Sequence, residues 1–136
     1  MKKLLLFLAA LLILHSCVEN EFMSMEAGEL PIGAWTVESW LENGFILQRT
    51  NTLPENTYGY VFEKNGKMIS RSNSGFCGTP PIVTEDFGGK WSLRGNVLKV
   101  EMRFWGGTIF EEWEILNSDA QSVTVERLKS EYKFDK

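Results

Sequence analysis

Residues 87–127 read FGGKWSLRGNVLKVEMRFWGGTIFEEWEILNSDAQSVTVER, and this stretch decides the fold. Turn signals at Gly95-Asn96, at Gly106-Gly107 and between Asn117 and Ala120 cut it into four short runs of alternating apolar and polar residues. Glycine-bearing two-residue turns between such runs predict antiparallel hairpins. A loop at Gly95-Asn96 sets Leu93 opposite Leu98, Trp91 opposite Val100, Gly89 opposite Met102 and Phe87 opposite Phe104. A loop at Gly106-Gly107 sets Leu98 opposite Ile115, Val100 opposite Trp113, Met102 opposite Glu111 and Phe104 opposite Ile109. Both turns put the same residues of the middle strand on one face, and agreement of this kind specifies register. The other face agrees too, with Lys99 beside Glu114 and Lys90 beside Glu101. The expectation is a curved antiparallel sheet, wet on one side and aromatic on the other.

The chain before this stretch extends the pattern. Trp35, Val37, Ser39 and Leu41 alternate with Thr36, Glu38, Trp40 and Glu42, which predicts a strand with Trp40 on the face opposite Trp35. Glu42-Asn43-Gly44 reads as a turn, with residues 45–49 running back beside the first strand. Residues 50–56 are polar, contain Pro54 and read as a loop. Residues 58–64 alternate, turn at Asn65-Gly66 and return, which sets Phe62 opposite Ile69 and Tyr60 opposite Arg71. A five-residue loop at 117–121 pairs Ile115 with Val123, Trp113 with Val125 and Glu111 with Arg127. About eight short strands at regular spacing predict an all-β fold, an eight-stranded antiparallel up-and-down barrel or a strongly curved meander sheet.

The first 17 residues read MKKLLLFLAALLILHSC: a basic start, an apolar run too short to span a membrane, and a small residue before cysteine. Leu14-His15-Ser16-Cys17 resembles the lipobox of bacterial lipoproteins, which implies a signal peptide over 1–16 and lipidation of Cys17. Val18 in place of aspartate resembles outer-membrane sorting in a Gram-negative envelope, at its periplasmic face or the cell surface. An ordinary cleaved signal with a structural Cys17 is the alternative. Residues 17–30 are expected to form the lipidated cysteine and a flexible tether, and residues 31–136 a single domain. Acyl chains add roughly 0.8 kcal/mol per buried CH₂, so such an anchor, palmitate among its acyl groups, holds firmly.

Setting residues 1–16 aside removes Lys2, Lys3 and His15, leaving 12 basic against 18 acidic side chains, a net charge of −6, and no histidine. A net-acidic chain without a basic run has no footprint for nucleic acid. A histidine-dependent triad and most catalytic zinc sites are excluded. Cys77 is the only cysteine besides Cys17, so no CxxC motif forms. We expect no catalytic residues, no metal and no cofactor.

Gly33-x-Trp35, followed by antiparallel strands, resembles the opening of the lipocalin (calycin) superfamily. Gly89-Lys-Trp91 with Leu93, Leu98 and Val100, then Trp113-x-Ile115, is similar to small lipocalin-like envelope lipoproteins over residues 32–128. The resemblance implies a late arginine packed across the first-strand tryptophan, here Arg127 on Trp35, with Gly33 as the third structural residue of the base. The ending LKSEYKFDK carries no clear helix. The resemblance also implies a ligand in the barrel, with Tyr60, Phe62, Trp91, Met102, Phe104 and Trp113 as walls and Arg71 and Glu111 as polar selectors.

Among individual residues, Glu111 on the aromatic face is costly unless it is paired or wet. It reads as an interior ion pair with Arg127, as an anchor for a ligand head group, or as turned to solvent by a bulge. Arg71 beside aromatics could clamp an acid, or extend its guanidinium into water from an apolar stem. Glu111 and Glu112 point to opposite faces and make no acid pair. Residues 72–82 form the long irregular stretch, with Phe76 a candidate lid and Cys77 a small buried thiol or a bridge to another molecule. Trp105 sits at a hairpin tip, placed to touch a partner or a membrane interface. The reading is a non-enzymatic envelope lipoprotein that binds a small apolar or amphipathic molecule inside the barrel. The alternative is a solid-core domain that binds a protein partner, and interior volume separates the two.

Overall fold

A computed structural model describes residues 30–75 and 80–136, and over these the chain is all-β. The expected signal peptide, Cys17, the tether up to residue 29 and the Phe76–Cys77 stretch lie outside the described residues. Eight strands follow one another: β1 (Gly33–Leu41), β2 (Gly44–Thr50), β3 (Gly59–Phe62), β4 (Lys67–Asn73), β5 (Thr84–Arg94), β6 (Val97–Phe104), β7 (Gly107–Ser118) and β8 (Ser122–Phe134). They close into an antiparallel barrel in the order β1-β2-β8-β7-β6-β5-β4-β3. The order departs from a strictly sequential meander at one place. β1 lies between β2 and β3, so the chain crosses β1 through residues 51–58, and β2 pairs with β8.

Alternation with period two builds the wall, and each run buries one face. In β6 the pattern is cleanest, with Leu98, Val100, Met102 and Phe104 inside and Lys99, Glu101 and Arg103 outside. The Gly95-Asn96 turn pairs Trp91 with Val100 and Gly89 with Met102, as the sequence predicts. Three other registers differ. The β6–β7 turn is Trp105-Gly106, because Phe104 pairs with Gly107; Val100 therefore faces Glu111, and Lys99 faces Glu112. Gly107 is needed inside β7 rather than in the loop, since a Cβ there would strike the Lys133 carbonyl. The slip is two residues, so every side chain keeps its face.

The β3–β4 turn is longer than expected by one residue. Glu63 N–H donates to Lys67 O at 2.9 Å, and Lys64, Asn65 and Gly66 form the loop, with Gly66 at φ +83°. The extra residue turns β4 over: Met68 and Ser70 point inward and face Phe62 and Tyr60, while Ile69 and Arg71 point outward. Bulges account for the rest. One between Val37 and Ser39 brings Trp40 to the same face as Phe45, against the expected opposite face. Two in the β7–β8 pair leave Leu116 and Leu128 unpaired and exposed, so Trp113 meets Arg127 and Glu111 meets Ser130.

The core fills the end of the barrel where the chain enters. Trp35, Phe45, Phe62, Met68, Leu98, Trp113 and Val125 are its largest fully buried side chains. Trp113 is the hub, with ring centroids 4.9 Å from Phe45 and 5.0 Å from Tyr60. The base is sealed by Arg49, not by Arg127. Its guanidinium lies 4.2 Å over the Trp35 ring and donates to Ile32 O at 3.0 Å and Ala120 O at 2.9 Å. Arg127, expected on Trp35, lies 5.6 Å over Phe45, because β8 runs beside β2 and not beside β1.

Candidate functional site

Opposite the base the wall splits. β5 leaves β6 beyond the Gly89–Met102 pair, and β8 outruns β2 beyond Glu126. The end of β6, the start of β7 and the end of β8 therefore stand as a flap. Its inward residues cluster: Phe104 lies 5.9 Å from Tyr132 and 5.6 Å from Phe134, ring to ring. Facing them across the opening, Trp40 packs edge-on against Phe45 and Tyr58. Between the flap and this wall lies a cavity of about 520 Å³, lined chiefly by Trp40, Tyr58, Tyr60, Phe104, Ile109 and Tyr132. Its rim is strongly apolar for a surface, with Trp40 58% and Phe134 66% exposed.

Below the cavity a knot of polar groups closes the interior. The Glu111 carboxylate is 5% exposed and accepts Trp113 Nε1–H at 2.6 Å and Ser130 Oγ–H at 2.9 Å. Arg127 Nε stands 3.0 Å from Oε1 but off the hydrogen-bond line, so the pair is held by charge alone. Burial pushes the Tyr60 hydroxyl well above the ordinary phenol range, and the Glu111 charge adds to this while Arg127 opposes it. Tyr60 therefore lines the cavity as a neutral phenol rather than as a nucleophile.

Of the residues singled out in the sequence, Tyr60, Phe104 and the hairpin-tip Trp105 line the cavity. Phe62, Met102 and Trp113 are buried in the core, and Glu111 is consumed by the knot. Trp91 is half-buried, stacks edge-on at 6.0 Å against Phe62 and donates its indole N–H to Glu63 O. Arg71 borders the cavity, but its guanidinium is taken up by partners on the outer wall. It clamps Asp86 at 2.6 and 3.0 Å and donates to Leu53 O and Pro54 O, fastening the crossover loop to the barrel. This hydrogen-bonded pair holds the Asp86 carboxyl below the usual carboxylate range. Trp40, Tyr58, Ile109, Tyr132 and Phe134 are the lining residues the sequence reading missed. Alternation of Tyr132 and Phe134 in residues 129–135 was the available signal.

The outer face carries a second groove of about 480 Å³ bordered by Lys90, Lys99, Lys129 and Lys133 with Glu101 and Glu131. Its charges are mixed and solvated. Among the described residues no group of three His, Cys, Asp or Glu side chains converges to hold a metal ion. No family model, curated protein or solved structure matches the chain.

Proposed function

We propose that this chain is a non-enzymatic binding protein that takes a small apolar or amphipathic molecule into the barrel mouth. The observation that carries this reading is the 520 Å³ aromatic cavity, open to solvent above a filled core. Sites for small apolar ligands are concave, mostly apolar and furnished with few polar groups. Here Ser72 and Asn73 are the small polar residues among the lining. The aromatic walls favour a flat ring system, which stacks offset or edge-on against them. Lipidation of Cys17 and a Gram-negative outer-membrane location complete the proposal, and the lipobox resemblance supports them.

Native mass spectrometry of the chain from Val18 onward, purified from its host without detergent, tests this. A reproducible added mass that is lost in Tyr132→Ala/Phe134→Ala is the expected result. Removing two rings from the wall is expected to weaken binding at least tenfold, roughly 1.4 kcal/mol or more. A clean apo mass that persists after exposure to fatty acids, sterols and quinones rejects the cavity. The exposed Trp40 and Phe134 then favour the second reading, a rim that binds an envelope protein partner.

A further inference from the structure

A closed barrel has no sheet edge, but this one leaves one open. β8 pairs with β7 as far as Phe134, whereas its pairing with β2 stops at Glu126. Among the described residues, 129–134 therefore have a strand on one side only. Asp135 N–H donates to Gly106 O, and the Lys133 carbonyl abuts Gly107, so the odd-numbered residues direct their backbone groups to β7. Ser130, Tyr132 and Phe134 direct theirs to the open edge. Such an edge is a template for another strand.

We propose that this edge pairs with the same edge of a second copy of this chain, antiparallel, with Tyr132 on the two-fold axis. Charge selects both the occupant and the register. Centred on Tyr132, Lys129 meets Asp135 of the second copy and Glu131 meets its Lys133, each pair occurring twice. Shifted to centre on Glu131, the pairing sets Glu131 against Glu131 and Lys129 against Lys133. Centred on Lys133 it sets Lys133 against Lys133 and Glu131 against Asp135. Opposite charges directly across a strand pair stabilise it, and like charges oppose it. Only the Tyr132-centred register is self-complementary over the whole segment. On the other face, Ser130, Tyr132 and Phe134 meet their counterparts. The two aromatic mouths then adjoin across one continuous sheet, an isologous contact. Among the described residues Glu131 and Lys129 have no ion pair within the chain that would compete, while Asp135 already holds Arg103 at 2.8 Å and Lys133 lies 4.9 Å over the Phe110 ring.

The test uses the full chain with Cys17→Ser and Cys77→Ser and single cysteines placed along 129–134. In the Tyr132-centred register the two residues at position 132 form a hydrogen-bonded pair with Cα atoms about 5.5 Å apart, within disulfide reach. Oxidative cross-linking is expected to peak at Tyr132→Cys and to be weak at Glu131→Cys and Lys133→Cys. Adding Glu131→Lys to Tyr132→Cys is expected to lower the cross-linked yield, and adding Lys133→Glu as well to restore it. Sedimentation of the chain without engineered cysteines gives a second readout. Glu131→Lys is expected to loosen the dimer about tenfold, and the double exchange to recover it. A monomer at every concentration, uniform cross-linking along the strand, or a dimer indifferent to both charge changes overturns the proposal. None of these readouts depends on a ligand in the mouth.

Discussion

At the scale of single residues, the interior is decided by how Glu111 is satisfied. A carboxylate this deep is tolerated because two donors and one guanidinium converge on it. Glu111→Gln keeps the shape and removes the charge, leaving Arg127 without its counterion. Arg127 reaches water along part of its length, so the loss should be about 2 kcal/mol, below the 3–5 typical of a fully buried broken pair. Urea unfolding measures it as a drop in midpoint at unchanged slope. A Glu111→Gln/Arg127→Met double variant should recover much of the loss, since removing both partners removes the uncompensated charge. Tyr60 gives a pH prediction. Its folded-state pKa is raised, so its contribution is intact below the ordinary phenol value of 10.0 and is lost as pH climbs above it. Above that value the unfolded chain releases a proton that the folded chain retains. Tyr60→Phe should flatten the alkaline limb of the stability profile, and an unchanged limb would assign the loss elsewhere.

At the scale of elements, the base depends on how β1 enters. Gly33 has φ +120°, and a Cβ there would lie 2.7 Å from Arg49 Nη1, the guanidinium that covers Trp35. Gly33→Ala combines backbone strain with displacement of that cover, and should cost about 2–3 kcal/mol. Trp35 emission should shift to the red in Gly33→Ala and in Arg49→Met, and should stay put in Arg127→Met. This contrast distinguishes the observed partner from the one the lipocalin resemblance implied. The elements themselves were legible in the sequence, because period-two alternation and glycine-bearing turns report each strand locally. The faces of β6 and β7 survived a wrong turn position because the slip was even. β4 did not, since a three-residue loop looks like a two-residue one until Glu63 is seen bonded to Lys67. Bulges at the Val37–Ser39 step and at Leu128 leave no mark in alternation, which hid the inward turn of Trp40 and the pairing of Glu111 with Ser130. Strand order was illegible for a different reason. The β2–β8 and β1–β3 pairings are long-range, and nothing in residues 50–56 announces a crossing.

At the scale of the molecule, the fold divides into a filled base and a split mouth, and the two should differ in local stability. Below the Glu111 knot the strands close the barrel and its largest core side chains are fully buried. Above it, among the described residues, the end of β8 is paired on one side, and its Tyr132 and Phe134 are exposed despite lining the mouth. Opening free energies follow buried apolar contact and backbone protection, so the flap belongs to the low end of the range. Amide exchange of the chain at low concentration should show Leu98, Val100, Val123 and Val125 exchanging only through global unfolding. The amides of Ser130, Tyr132 and Phe134, which face the open edge, should exchange orders of magnitude faster. The amides of Lys129, Glu131 and Lys133, bonded to β7, should fall between them. A ligand in the mouth should slow the inner-facing β7 ladder as well, because it packs against Ile109 and Tyr132 and holds the flap down by mass action. A second copy on the edge should slow the three even-numbered amides first and in proportion to protein concentration. Uniform protection from base to rim would mean that the flap is as firmly held as the core, and would overturn the division into a firm base and a loose mouth.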